Sequence, residues 1–97
     1  MKPYNGHRSW GAWNVSLWIT NDEFLYQAAM NCLQAALLKR SASKSLFIQR
    51  KSLGRLAVHD MMKYLPPKTP DGARYTELAV RLTLDALSEG MKESALA

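Results

Sequence analysis

The residues with the clearest capacity for chemistry are six cations, Lys39, Arg40, Lys44, Arg50, Lys51 and Arg55, that lie in a window free of acid. Between Glu23 and Asp60 no aspartate or glutamate occurs, and the chain as a whole carries a net charge of +5. A one-signed region of this kind attracts polyanions or acidic protein faces and accelerates association with either. The same pattern also describes a solvated basic face without a dedicated partner.

Aromatic residues are the second concentration, with Trp10, Trp13 and Trp18 all close to the N-terminus. Exposed tryptophan marks binding hot spots and stacks on bases. Here Trp10, Trp13, Leu17 and Trp18 share helical spacing, which favours a packing role. Trp13 and Trp18 are then expected to anchor the core, with Trp10 at its rim. Asn14, between them, either bonds a neighbouring turn or is exposed.

Groups that serve catalysis or metal binding do not converge in the sequence. His7 and His59 have no acid-and-nucleophile or ligand pattern around them, and adjacent His59 and Asp60 point in different directions on a helix. The single cysteine, Cys32, cannot form an internal disulfide and falls on an apolar stripe, where it reads as a small core residue. Glycines at 6, 11, 54, 72 and 90 are too scattered for a phosphate loop or dinucleotide fingerprint. Asp22 and Glu23 are explained by capping and dipole charge at a helix start, so no metal, cofactor or catalytic group is expected.

The elements that position these residues are helical. Ser9 caps a short Trp-rich helix that extends to Ile19. Thr20-Asn21-Asp22-Glu23 matches a capping box and predicts a second helix. Its stripe is Leu25, Ala28, Ala29, Cys32, Leu33, Ala36 and Leu37, and it finishes on Lys39 and Arg40. Residues 41–51 begin as a loop and favour helix from Leu46. From Ser52, the residues Leu53, Leu56, Ala57, Met61, Tyr64 and Leu65 mark another helix, stopped by Pro66-Pro67. Thr69-Pro70-Asp71 reads as an N-cap, a first-turn proline and an acid opening a last helix. That helix carries a stripe of Leu78, Ala79, Leu82, Ala86 and Leu87, and Gly90 ends it before a frayed tail, 91–97.

The fold class that follows is all-α, a small bundle of about four helices: a short Trp-rich one and three longer amphipathic ones. At 97 residues the chain is a single helical domain, 1–97, with room for one core. Met30, Met61, Met62 and Met91 either fill gaps in that core or form an adaptable apolar surface. No run approaches the roughly 18 apolar residues of a membrane span, and Met1 to Gly6 carry no signal pattern, so a cytoplasmic location is expected.

Tyr4-Asn5-Gly6, then Trp10, Trp13-Asn14-Val15, Leu17-Trp18-Ile19 and Asn21-Asp22-Glu23 together form a distinct pattern. The segment resembles the N-terminal signature of a family of small proteins of bacteriophages, prophages and other mobile elements. The likeness covers the first quarter of the chain and implies a setting rather than an activity. Small proteins of that setting often bind host machinery, as anti-CRISPR and other anti-defence proteins do. The resemblance therefore implies, in the cytoplasm of a bacterial host, an inhibitor or modulator of a host complex. The basic charge directs it to an acidic protein face or to nucleic acid held by the complex. The basic stretch, with exposed aromatics such as Trp10 or Tyr75, is the expected contact. The alternative is a nucleic-acid-binding protein whose Lys39, Arg40, Lys44, Arg50, Lys51 and Arg55 contact phosphates. The signature residues are read as structural.

Overall fold

The computed structural model describes residues 9–96, with side chains to residue 91. Its helices are α1 (Trp10–Asn21), α2 (Glu23–Ala42), α3 (Leu46–Gln49), α4 (Leu53–Met62) and α5 (Glu77–Leu96). No strand forms among the described residues, and an isolated bridge joins Lys68 to Arg74. The fold is a small all-α bundle, as the periodicity requires.

Helix α1 begins where expected, with the Ser9 hydroxyl accepting from the Ala12 N–H at 3.1 Å. It then runs past Ile19 to Asn21, so the expected capping box does not form. Thr20 is still helical and donates its hydroxyl to the Ser16 carbonyl at 2.7 Å. Asp22 is instead the sole residue between α1 and α2, and its carboxylate accepts from the Leu25 N–H at 2.9 Å. Either Thr20 or Asp22 can cap by type; the longer α1 leaves Asp22 the first residue with extended backbone.

The face that α1 buries also differs from expectation. Asn14, Val15 and Ile19 are its buried residues, whereas Trp13 and Trp18 are half-buried and Trp10 and Leu17 exposed. Compact β-branched side chains suit the approach of α1 to both α2 and α5, while the larger indoles lie at the margin. Helix α2 buries Leu25, Ala28, Ala29, Cys32, Leu33 and Ala36, with Leu37 partly covered, so its stripe matches the sequence throughout.

Helix α4 is capped by Ser52, whose hydroxyl accepts from the Arg55 N–H at 3.1 Å. It ends at Met62, before the prolines, and loosens through bonds from the Tyr64 N–H to Met61 and the Leu65 N–H to Met62. Tyr64 is consequently exposed, not part of the buried stripe. The most extensive helix pairing is α4 with α5, followed by α4 with α2. Gly54 makes the first of these possible: a Cβ there meets the Arg81 carbonyl at 2.6 Å and the Asp85 carboxylate.

Thr69-Pro70-Asp71 does not open α5 but forms a tight turn with Gly72. The Gly72 N–H donates to the Thr69 carbonyl at 2.9 Å, and Gly72 takes a φ of +97°. Proline at the second position of a turn and at the first position of a helix are both favourable, so the tripeptide fits either. Helix α5 starts later, with Thr76 accepting from the Ala79 N–H at 3.1 Å. Its buried residues include Ala79, Val80, Thr83, Leu84 and Ser88. Leu78 and Ala86 of the expected stripe are exposed, and Leu82 and Leu87 half-buried. Thr83 and Ser88 can face the core because their hydroxyls donate to Ala79 and Asp85 carbonyls within the helix. Gly90 does not end α5, which continues to Leu96.

Candidate binding surface

The six cations of the acid-free window are divided between two clefts and open surface. Arg40 is half-buried, and its Nη1 donates to the Lys51 carbonyl at 3.1 Å, tying the end of α2 to the α3–α4 connection. It also lines a cleft between α2 and α5, beside Met30, Leu37, Leu87 and Met91. Lys39 and Lys44 are exposed. Arg50, Lys51 and Arg55 converge on a second cleft, where α5 adds Arg81 and Asp85.

Arg81 is invisible to a reading by sequence window, being 26 residues beyond Arg55 in the numbering and outside the acid-free stretch. The close α4–α5 packing at Gly54 brings it in, since Arg81 lies one helical turn from Asp85. Asp85 is occupied structurally: its Oδ1 accepts from the Gly54 N–H at 2.9 Å and so serves the N-terminus of α4. Among the described residues Lys63 pairs with Asp60, at 3.4 Å on the surface, and none of the four cations of the cleft forms an ion pair.

One wall of this cleft is Phe47, whose ring lies 4.1 Å below the Lys51 ammonium. The cation–π contact holds Lys51 near the cleft, while 70% of Phe47 stays exposed. Its neighbour Leu46 is 62% exposed, and α3, which carries both, buries none of its residues and touches α2 alone among the helices. Leu38, near the end of α2, is also 70% exposed. A helical turn that contributes nothing to the core while presenting leucine and phenylalanine to solvent has no evident packing purpose.

The N-terminal signature residues take a different role. Tyr4, Asn5 and Gly6 lie outside the described residues. Asn14 is 1% exposed: its Nδ2 donates to Asp71 Oδ2 at 2.9 Å, and its Oδ1 accepts from the Thr69 hydroxyl at 2.6 Å. Trp18 Nε1 donates to the same Asp71 oxygen at 2.8 Å, and Thr69 Oγ1 accepts from the Ala73 N–H at 3.1 Å. The bond from Asn14, followed by that from Trp18, holds the Asp71 carboxyl below the usual aspartate range. Asn14 and Trp18 therefore latch the Thr69–Gly72 turn onto α1. Asn21 donates to the Leu17 carbonyl at 2.8 Å, Asp22 caps α2, and Glu23 is an exposed first-turn acid.

Of the aromatics proposed for contact, Trp10 is exposed, but Tyr75 is not. Tyr75 is 5% exposed, and burial, with the Asp22 charge adding to it, pushes its phenol up. Residues between the turn and α5 pack inward because Ala73 and Tyr75 share one side of an extended segment. Cys32 is buried, and that burial, together with the Asp60 charge and against the opposing Lys63, raises its thiol above the ordinary value. Met61 is fully buried, while Met30, Met62 and Met91 pack on the core's edge. Among the described residues no group of three or more His, Cys, Asp or Glu is placed to hold a metal ion, and no helix is long and apolar enough to cross a membrane.

Fold and surface together define a small all-α protein with an arginine-rich cleft walled by the exposed Phe47. The chain belongs to a family of unknown function (DUF7249), whose profile matches residues 1–95. No curated protein and no solved structure matches it.

Proposed function

We propose that this protein is a non-enzymatic binding protein that docks on an acidic face of a host protein complex and modulates it. The observation that carries this reading is α3: Leu46 and Phe47 stand free of the core, and Phe47 lines the cleft of Arg50, Lys51, Arg55 and Arg81. Exposed aromatic and aliphatic anchors next to arginine are the composition of a protein–protein hot spot. The resemblance of the N-terminal segment to phage and mobile-element proteins supports a host complex as the target, in the manner of anti-defence inhibitors such as anti-CRISPR proteins. The alternative, phosphate contacts to nucleic acid through Lys39 to Arg55, draws support from charge alone. Nucleic-acid interfaces are more polar than one offering Leu46 and Phe47.

The test is affinity purification of the tagged protein from a bacterial host lysate treated with nuclease, in parallel with a Leu46→Ser/Phe47→Ser variant. A stoichiometric protein complex is expected with the natural sequence and not with the variant, while circular dichroism of the two stays the same. Recovery of nucleic acid alone from an untreated lysate, or capture indifferent to the two substitutions, overturns the reading.

A further inference from the structure

We propose that the cleft between the α3–α4 connection and α5 is a phosphate-binding pocket, which receives a phosphorylated side chain of the protein partner. This rests on the protein-binding reading above and names the chemistry of the same surface. The lining includes four cations, Arg50, Lys51, Arg55 and Arg81, against one carboxylate, Asp85. That carboxylate already accepts the Gly54 N–H, so its presence is explained by the helix start and not by charge pairing. Four cations and one carboxylate give the concavity a net charge of about +3.

A single carboxylate of a partner neutralises one unit of that charge, whereas a phosphate monoester carries about −1.5 to −2 near neutral pH and three acceptor oxygens. Three of the four cations are arginines, whose planar fork matches a phosphate with paired hydrogen bonds in a way that lysine does not. The cations also come from two parts of the fold, the α3–α4 segment and α5, and line one concavity. A track for a nucleic-acid backbone calls for cations spread along a groove. Lys39 and Lys44, which could extend such a track, do not line this cleft. Phe47 on its wall, with Leu46 beside it in sequence, offers apolar surface to residues flanking a phosphorylated side chain.

The experiment follows the backbone amide and arginine Nε–H signals of the whole protein by NMR at constant ionic strength. The probes are inorganic phosphate, acetate, a phosphoserine-containing peptide and a 5′-phosphorylated oligonucleotide. Saturable shifts confined to residues 47–55 and 81–85 are expected with phosphate and, more tightly, with the phosphopeptide. Acetate should give no saturation. Arg55→Gln and Arg81→Gln are each expected to weaken phosphopeptide binding by about tenfold. Lys39→Gln and Lys44→Gln, which remove the same charge elsewhere, should leave it within about twofold. All four side chains are wholly or partly exposed, so the variants retain the fold, and the amide spectrum reports this directly.

Unsaturable shifts spread over every surface cation, equal response to acetate, or equal loss in the lysine variants overturns the pocket. Tighter binding of the oligonucleotide than of the phosphopeptide overturns the phosphoprotein assignment. The two readings fail separately. Phosphate saturation without a captured protein removes the protein-binding function and keeps the pocket, whereas a captured protein without phosphate saturation does the reverse.

Discussion

Asn14 has a local role out of proportion to its size, because a primary amide at 1% exposure is stable when both of its ends are bonded. Here the nitrogen end meets Asp71 and the oxygen end Thr69. In Asn14→Ala the buried Thr69 hydroxyl loses its acceptor, and we expect a loss of about 1–3 kcal/mol in a urea titration. Asp71 gives the same latch a pH dependence. Its folded-state pKa lies below its ordinary value of 3.8, so the ionised form stabilises the fold above that value. The contribution is lost as pH falls through the lowered folded value. The denaturation midpoint of the natural protein should therefore drop with acid below that range, and Asp71→Asn should show a shallower drop. An unchanged acid limb in the variant removes Asp71 from this role.

At the scale of elements, two glycines in helices make opposite demands. Gly54 sits where α4 meets α5, and any Cβ runs into the Arg81 carbonyl, which belongs to backbone and cannot rotate away. Gly90, inside α5, has nothing within 4 Å of an added Cβ. Gly54→Ala is expected to destabilise by about 1–3 kcal/mol through overpacking. Gly90→Ala should stabilise by about 0.5–1 kcal/mol, because alanine improves helix propensity where no contact is disturbed. Thermal unfolding of the pair reads both signs at once. Gly54→Ala carries a second consequence, since separating α4 from α5 also separates Arg55 from Arg81. Phosphate binding should weaken in that variant even at temperatures where it remains folded.

The whole molecule presents a net charge of +5, yet this charge is organised by the packing of five helices more than by its order along the chain. Association with an acidic partner is expected to be steered by that field, so its rate should fall by about tenfold from low to physiological salt. Leu46→Ser/Phe47→Ser should instead raise the dissociation rate with little change in association, because apolar anchors act after encounter. Stopped-flow measurement of both rates separates the two contributions. Salt independence of the association rate removes the basic cleft from recognition.

Helix type and position were legible wherever a local rule has a single reading. Ser9 caps as its sequence neighbours imply, and the α2 stripe from Leu25 to Ala36 is buried as its spacing requires. Competing local rules left other features undecided. Thr69-Pro70-Asp71 suits a turn and a helix start alike, and the buried Asn14, 55 residues away from Thr69, favours the turn. Thr83 and Ser88 read as polar until their hydroxyls are seen bonded within α5, which rotates the buried face away from Leu78 and Ala86. The basic region shows the same division. Its acid-free composition from Glu23 to Asp60 belongs to the sequence by itself, and so does the expectation of an anionic partner. Which cations share a cleft was decided only by tertiary structure, because the α4–α5 contact at Gly54 brought Arg81 to the cleft of Arg50, Lys51 and Arg55, while Arg40 lines another. Charge is a property of the residues in order, but its gathering in one cleft depends on distances that the order does not contain.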